Sequence, residues 1–165
     1  MRYELCVASY RHYGSALKAW QYFQDMRTFS INVDIQAPPE RVWAVMSDVE
    51  RWHEWTASVK SIRRLDTGPL QIGSRAWIRQ PKLPPALWKV SEIHNGRSFT
   101  WGSGSPGIRV IGKHSVEPTP NGSRATLSVH FSGILGGVFG TLLRGLNEQY
   151  LAWEAAGLKR RSENR

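Results

Sequence analysis

The feature that constrains this chain most is a change in the spacing of its apolar residues near Gly137. Before that point apolar and polar residues alternate in a series of short segments, which is the pattern of half-buried β-strands. Ile31, Val33 and Ile35 give this alternation in the first segment. After Gly137 the apolar residues recur at steps of three and four, which is typical of an amphipathic helix. The order therefore predicts a run of strands followed by one long helix.

Turn residues divide the alternating region into seven predicted strands. The first covers residues 30–36, and six more lie near 58–65, 74–80, 87–93, 98–103, 108–117 and 124–132. Short segments rich in glycine, proline and asparagine separate the last six strands. Since a parallel pair would need a long crossover, we expect antiparallel neighbours in a meander.

Two short helices are predicted between the first and second strands. Pro38 and Pro39 stop the first strand and favour a helix start, because proline lacks the N–H that would be unpaired there. Asp48 is suited to cap a second short helix that carries Val49, Trp52 and Trp55.

The long helix needs a broad partner surface. Extended to Arg160 it would be roughly 35 Å long. Its predicted apolar face comprises Phe139, Leu143, Leu146, Tyr150, Trp153 and Gly157. A curved sheet of seven strands can cover such a face, so we predict an α+β fold in which an antiparallel sheet wraps around the helix.

Three stretches of the chain carry a resemblance to a known family. They are residues 37–55, residues 105–133 and residues 154–159. Together they resemble the START-like superfamily, also called SRPBCC or helix-grip, and within it the polyketide cyclase/dehydrase-like branch. The resemblance implies an internal cavity that binds lipids, polyketides or other secondary metabolites. Some members of this superfamily cyclise or dehydrate their ligands and many only bind them.

The resemblance also implies a division of the chain. We expect an N-terminal extension at 1–27 and a START-like ligand-binding domain at 28–165. Residues 15–24 could form a short helix, or the natural start could be Met26, and the sequence leaves both alternatives open. We expect removal of residues 1–25 to leave the domain folded, because the first strand begins after Met26.

The charge of the chain has two interpretations. A formal net charge of +9 is compatible with nucleic acid, an anionic membrane surface or an anionic ligand. The basic residues are scattered, however, and form no stripe interleaved with aromatic residues as single-strand binding requires. We therefore expect no nucleic-acid partner and, at most, weak contact with an anionic membrane surface.

The remaining composition bears on location. No apolar run reaches the roughly 18–20 residues of a membrane span, and the N-terminus has no signal-peptide pattern. Cys6 is the single cysteine, which excludes an intramolecular disulfide and suits a reducing compartment. The predicted location is cytoplasmic, with no transmembrane segment.

Alternation along the strands predicts which side chains point toward the helix. The predicted ligand contacts are Ile78, Gln80, Trp88, Trp101, Val110, His114, Phe131, Leu146 and Tyr150. Three polar residues, Gln80, Glu92 and His114, share the apolar side of the predicted sheet. They either converge on a ligand or pair with one another and with water at strand ends. The aromatic rings could likewise wall a cavity or fill it.

Topology predicts where a cavity would open. In a meander alternate connections lie at the same end of the sheet, so residues 81–85, 102–107 and 133–140 share one end. These segments are apolar and rich in glycine or proline, which favours a mouth with a movable lip.

Two functions follow as alternatives. The first is a binding protein for a hydrophobic small molecule. The second is an enzyme of the polyketide cyclase or dehydratase type, with His114 or Glu92 as general acid/base. A third, lipid exchange on anionic membranes, rests on the basic surface. We expect no cofactor and no metal, since His114 and His130 point to opposite sides and no cysteine or acidic cluster accompanies them.

Overall fold

The computed structural model describes residues 28–164, and seven antiparallel strands form its sheet. The strands are β1 (Thr28–Ile35), β2 (Ser61–Arg64), β3 (Arg75–Arg79), β4 (Ala86–His94), β5 (Ser98–Ser105), β6 (Ile108–Thr119) and β7 (Gly122–Ser132). Their order across the sheet is β1-β7-β6-β5-β4-β3-β2. The predicted meander is confirmed, and β1 adds to it by pairing with β7. The predicted extension, with its helix at 15–24, lies outside the described residues.

Two short helices follow β1, as predicted. Helix α1 spans Pro39–Ser47, and Val49–Glu54 forms a 3₁₀ helix. Pro39 occupies the first turn of α1, where its missing N–H costs no hydrogen bond.

The predicted long helix is interrupted at Leu143. Helix α2 spans Gly136–Leu142 and helix α3 spans Arg144–Glu163. Helix α2 packs at the end of β7, whereas α3 runs alongside α1 and β1. The predicted helix-grip fold, a curved antiparallel sheet around a long helix, is confirmed. None of the helices within residues 28–164 is long and apolar enough to cross a membrane.

Helix α3 approaches the 3₁₀ helix very closely at Gly157. A Cβ atom at this position would lie 2.1 Å from the carbonyl oxygen of Trp55. Trp52 and Trp55 also pack together, with ring centroids 5.5 Å apart. This contact fixes α3 against the body of the protein and closes one end of the space between helix and sheet.

A bulge in β4 makes one sequence prediction wrong. Val90 lies opposite Trp101, but Glu92 lies opposite Thr100, so Ser91 is an extra residue in the strand. An extra residue reverses the alternation beyond it. Glu92 therefore points to the exposed outer face of the sheet, not toward the helix as the alternation predicted.

Candidate ligand-binding cavity

A cavity of about 490 Å³ lies between the sheet and α3. This volume is within the range of about 300–1,000 Å³ that is usual for small-molecule sites. Its wall is mostly apolar and aromatic. Its larger side chains include Trp52, Ile78, Leu83, Trp88, Trp101, Val110, Phe131, Phe139 and Leu151. The aromatic rings therefore wall a space and do not fill it.

The cavity wall includes all but one of the predicted ligand contacts. The residues brought together are Ile78, Gln80, Trp88, Trp101, Val110, His114, Phe131 and Tyr150. Leu146 is half-buried and lies off the wall. Helix α3 presents Leu143, Asn147, Leu151 and Glu154 to the cavity along with Tyr150.

Gly112 determines how closely two tryptophans approach β6. A Cβ at this position would lie 2.8 Å from Nε1 of Trp101 and 3.5 Å from Cζ3 of Trp88. The absence of a side chain at Gly112 therefore admits the edges of two indoles against the strand.

His114 lies at the closed end of the cavity, within an aromatic cluster. Its ring is parallel to that of Phe99, with centroids 4.8 Å apart and an interplanar angle of 7°. The ring of Trp52 lies 5.0 Å away. The side chain is only 6% exposed, and neither ring nitrogen has a hydrogen-bond partner within residues 28–164.

Glu154 faces His114 across the closed end, and the sequence analysis missed it. Nε2 of His114 lies 3.6 Å from Oε2 of Glu154, a carboxylate that is itself almost fully buried. Ser58 donates a hydrogen bond of 2.7 Å to Oε1, and Thr56 lies 3.0 Å from the Ser58 hydroxyl. The 3.6 Å separation is too long for a hydrogen bond, but such contacts often tighten only when a ligand is bound.

Two more buried donors on the wall have no acceptor in the part of the chain that the structure describes. They are Nδ2 of Asn147 and Nε1 of Trp88. A buried donor left unpaired costs about 1–3 kcal/mol, so an oxygen atom of a bound molecule would relieve the cost. The cavity is thus mostly apolar and carries donors that have no acceptor among residues 28–164.

Tyr150 joins α3 to one rim of the mouth. Its hydroxyl donates a hydrogen bond to the carbonyl oxygen of Pro81. Partial burial raises the pKa of the Tyr150 phenol above its ordinary value. The hydrogen bond holds the Pro81–Pro85 loop against the helix.

The mouth forms where the connections were predicted to meet. Leu83 and Pro84 line it from the β3–β4 loop, Ser105 from the β5–β6 loop, and Phe139 from α2.

Glu92 lies on the outer face of the sheet and does not line the cavity. It is exposed and contacts His94, with 3.0 Å between Oε1 and Nε2, while Thr100 donates to its other oxygen. The hydrogen bond from His94, followed by that from Thr100, lowers the pKa of Glu92. The carboxylate that lies near His114 is therefore that of Glu154, not that of Glu92.

The spacing of Asn147 and Glu154 along the helix could have identified both residues from the sequence. The two residues are seven positions apart, which places them on the same side of an α-helix as Tyr150. The sequence analysis defined the inner face by apolar residues alone, so its predicted face was turned toward Leu146 and Trp153.

A sheet that grips a helix over an internal apolar cavity defines this protein as a helix-grip ligand-binding fold. The chain belongs to the family described as polyketide cyclase / dehydrase and lipid transport, whose profile matches residues 26–163. Family and fold together indicate hydrophobic ligand binding or a cyclase role.

The individual proteins that this chain resembles have low sequence identity to it. The chain is 27% identical to a protein described as toxin Rv0910 from Mycobacterium tuberculosis, over 66% of this chain and 78% of that protein. The aromatase/cyclase Zhui from a Streptomyces species has a TM-score of 0.67 at 14% identity, covering 83% of this chain and 93% of Zhui. A START superfamily protein from Mycobacterium smegmatis has a TM-score of 0.64 at 16% identity, covering 81% and 97% of the two chains. At these identities the two structures support the fold alone.

Proposed function

We propose that this protein binds a hydrophobic small molecule, a lipid, polyketide or other secondary metabolite, in the cavity between its sheet and α3. The observation that carries the proposal is an apolar cavity of about 490 Å³ whose wall holds buried donors without an acceptor in the described part of the chain. Apolar walls would supply affinity, and a few polar groups would fix orientation.

The unpaired groups specify part of the ligand's chemistry. Nε1 of Trp88 and Nδ2 of Asn147 can only donate, and His114 donates from at least one ring nitrogen. A ligand that carries carbonyl or hydroxyl oxygens would satisfy these donors, whereas a pure hydrocarbon would leave them unpaired. We therefore expect an oxygen-bearing apolar ligand.

Native mass spectrometry of the purified full chain tests the proposal directly, because a tightly held ligand would co-purify. A second test uses the fluorescent apolar anion anilinonaphthalene sulfonate as a probe. Val110 faces the cavity and Ile111, its neighbour in β6, faces away. Val110→Phe should weaken probe binding by on the order of 10-fold by filling the cavity, and the matched variant Ile111→Phe should not. Equal effects of the two variants would contradict binding in this cavity.

The His114–Glu154 pair favours a second candidate function, catalysis of the cyclase or dehydratase type. In a dehydration, His114 would take a proton from the carbon beside a carbonyl group. A carbon–carbon double bond would form as the bond to the β-hydroxyl breaks, and the imidazolium would give its proton to this hydroxyl, which leaves as water. Glu154 would stabilise the imidazolium formed between these steps. The pair lies inside the cavity, as such chemistry requires.

Substitution of the pair separates catalysis from binding. On a substrate identified by the mass spectrometry, His114→Gln should lower turnover by on the order of 100-fold while ligand affinity changes little. Glu92→Gln is the matched control, since Glu92 lies on the outer face. If His114→Gln retains wild-type turnover, the catalytic proposal is wrong and the binding proposal is unaffected.

A further inference from the structure

The segment at residues 134–142, beside the cavity mouth, exposes apolar side chains to water. Three residues at steps of four form a stripe there: Ile134 is 90% exposed, Val138 56% and Leu142 74%. The buried positions of the same segment are glycines, Gly136 and Gly140. This is the reverse of the pattern of a surface helix in water, where the apolar side chains face the core. The stripe Ile134, Val138 and Leu142 is called the lip below.

The segments around the lip carry positive charge. Residues 79–91, 98–116 and 131–147 contain no aspartate or glutamate. Lys82 is exposed on the Pro81–Pro85 loop, and Arg109 is exposed at the start of β6, next to the residues that lead into α2. The acidic residues Asp66 and Glu117 lie at the connections of the opposite end of the sheet. The mouth therefore combines exposed apolar side chains with two exposed cations, Lys82 and Arg109, while Arg144 nearby is paired with Glu148.

We propose that the lip docks on an anionic lipid bilayer, with its apolar side chains inserted at the level of the acyl chains and Lys82 and Arg109 against the headgroups. An apolar face flanked by basic residues is the combination that holds helices at anionic membrane interfaces. A second copy of the chain is the less suitable occupant, because it would bring the exposed cations of two copies together. Docking in this orientation places the cavity mouth on the bilayer, so that a hydrophobic ligand passes between protein and membrane without crossing water.

Sedimentation of the full chain with lipid vesicles tests this docking. The probes are vesicles of phosphatidylcholine alone and of phosphatidylcholine mixed with phosphatidylglycerol. We expect binding to the mixed vesicles only, weakening as salt is added. Lys82→Glu with Arg109→Glu should lower the partition coefficient by on the order of 10-fold or more, as should Ile134→Asp with Leu142→Asp.

Matched controls lie at the opposite end of the sheet. Ile72, which is also well exposed, and Arg97 allow the same changes, Ile72→Asp and Arg97→Glu. These controls should bind vesicles as the wild type does, and thermal melts should show that all variants are folded. No binding to mixed vesicles, or equal losses in the control variants, would overturn the proposal.

Two further measurements separate membrane docking from self-association and from ligand binding. Light scattering would reveal whether the lip holds two copies together; a dimer that the lip variant dissociates, without vesicle binding, would also overturn the proposal. Probe binding in the cavity should be unchanged in the lip variants, so that failure of docking and failure of ligand binding are distinguishable.

Discussion

At the closed end of the cavity even polar and titratable side chains are buried, whereas at its mouth even large apolar side chains are exposed. His114, Glu154 and Ser58 are buried, and the rings of Phe99 and Trp52 pack against His114, while Ile134 and Leu142 are exposed. Because the closed end is closely packed, removal of buried atoms there should lower the free energy of unfolding. The mouth contributes little packing and can change without unfolding the protein. The contrast indicates that the closed end contributes most to stability, whereas under the proposed function the mouth would give a ligand access to the cavity.

Truncating one leucine at each end should give the largest difference. Leu158→Ala removes a fully buried side chain of α3 and should lower the free energy of unfolding by about 2–5 kcal/mol. Leu142→Ala at the mouth should change it by no more than about 0.5 kcal/mol. Urea unfolding of both variants measures the difference. Comparable losses of unfolding free energy would contradict the contrast between the two ends.

Two glycines of α3 provide a second comparison between the closed end and the mouth. Gly157→Ala would place a Cβ 2.1 Å from the carbonyl oxygen of Trp55, so α3 must shift, and we expect a loss of about 3 kcal/mol. Gly145→Ala, nearer the mouth, meets no atom within 4 Å and should stabilise the helix by about 0.5–1 kcal/mol. Thermal melts should therefore shift in opposite directions. A neutral Gly157→Ala would mean that the closed end is looser than its geometry indicates.

A buried serine tests the polar part of the closed end. Ser58→Ala removes the hydroxyl that donates to Glu154, which leaves a buried carboxylate oxygen without its donor. The expected cost is about 1–3 kcal/mol. The control is Ser91→Ala on the outer face, where water replaces the lost hydrogen bond and the effect should be under about 0.5 kcal/mol. Chemical denaturation at neutral pH compares the two.

A smaller loss of stability is expected at the rim of the mouth, where Tyr150 contacts the Pro81–Pro85 loop. Tyr150→Phe removes the hydrogen bond to Pro81 and should cost about 1 kcal/mol, with faster amide exchange at Lys82 and Leu83 in the loop. Exchange rates that stay unchanged would show that the loop is held by packing alone.

The same tyrosine gives a pH dependence. Burial raises the pKa of Tyr150, so the folded protein holds the phenol proton more tightly than the unfolded chain does. This stabilisation is complete below the ordinary pKa of about 10 and is lost as the pH rises above it. Alkaline unfolding should therefore be steeper in the wild type than in Tyr150→Phe.

The sequence predicted the elements well because each has a local cause. Alternation of apolar residues, proline at a helix start and glycine-rich turns act over a few positions, so the seven strands and two short helices could be read directly. Most of the cavity wall followed from the same alternation, since Ile78, Trp88, Trp101 and Val110 lie on regular stretches of strand.

Glu92 and Leu146 were misplaced for reasons that act over longer distances. The bulge at Ser91 is fixed by pairing with β5, and no residue in β4 signals it. The side of α3 that faces the cavity depends on tertiary contacts, such as that of Glu154 with Ser58, between residues far apart in the chain. Strand alternation and helix periodicity by themselves therefore determined the architecture and the apolar wall. Only the tertiary structure brought Glu154 to His114, because a buried carboxylate is tolerated where distant partners such as Ser58 are packed around it.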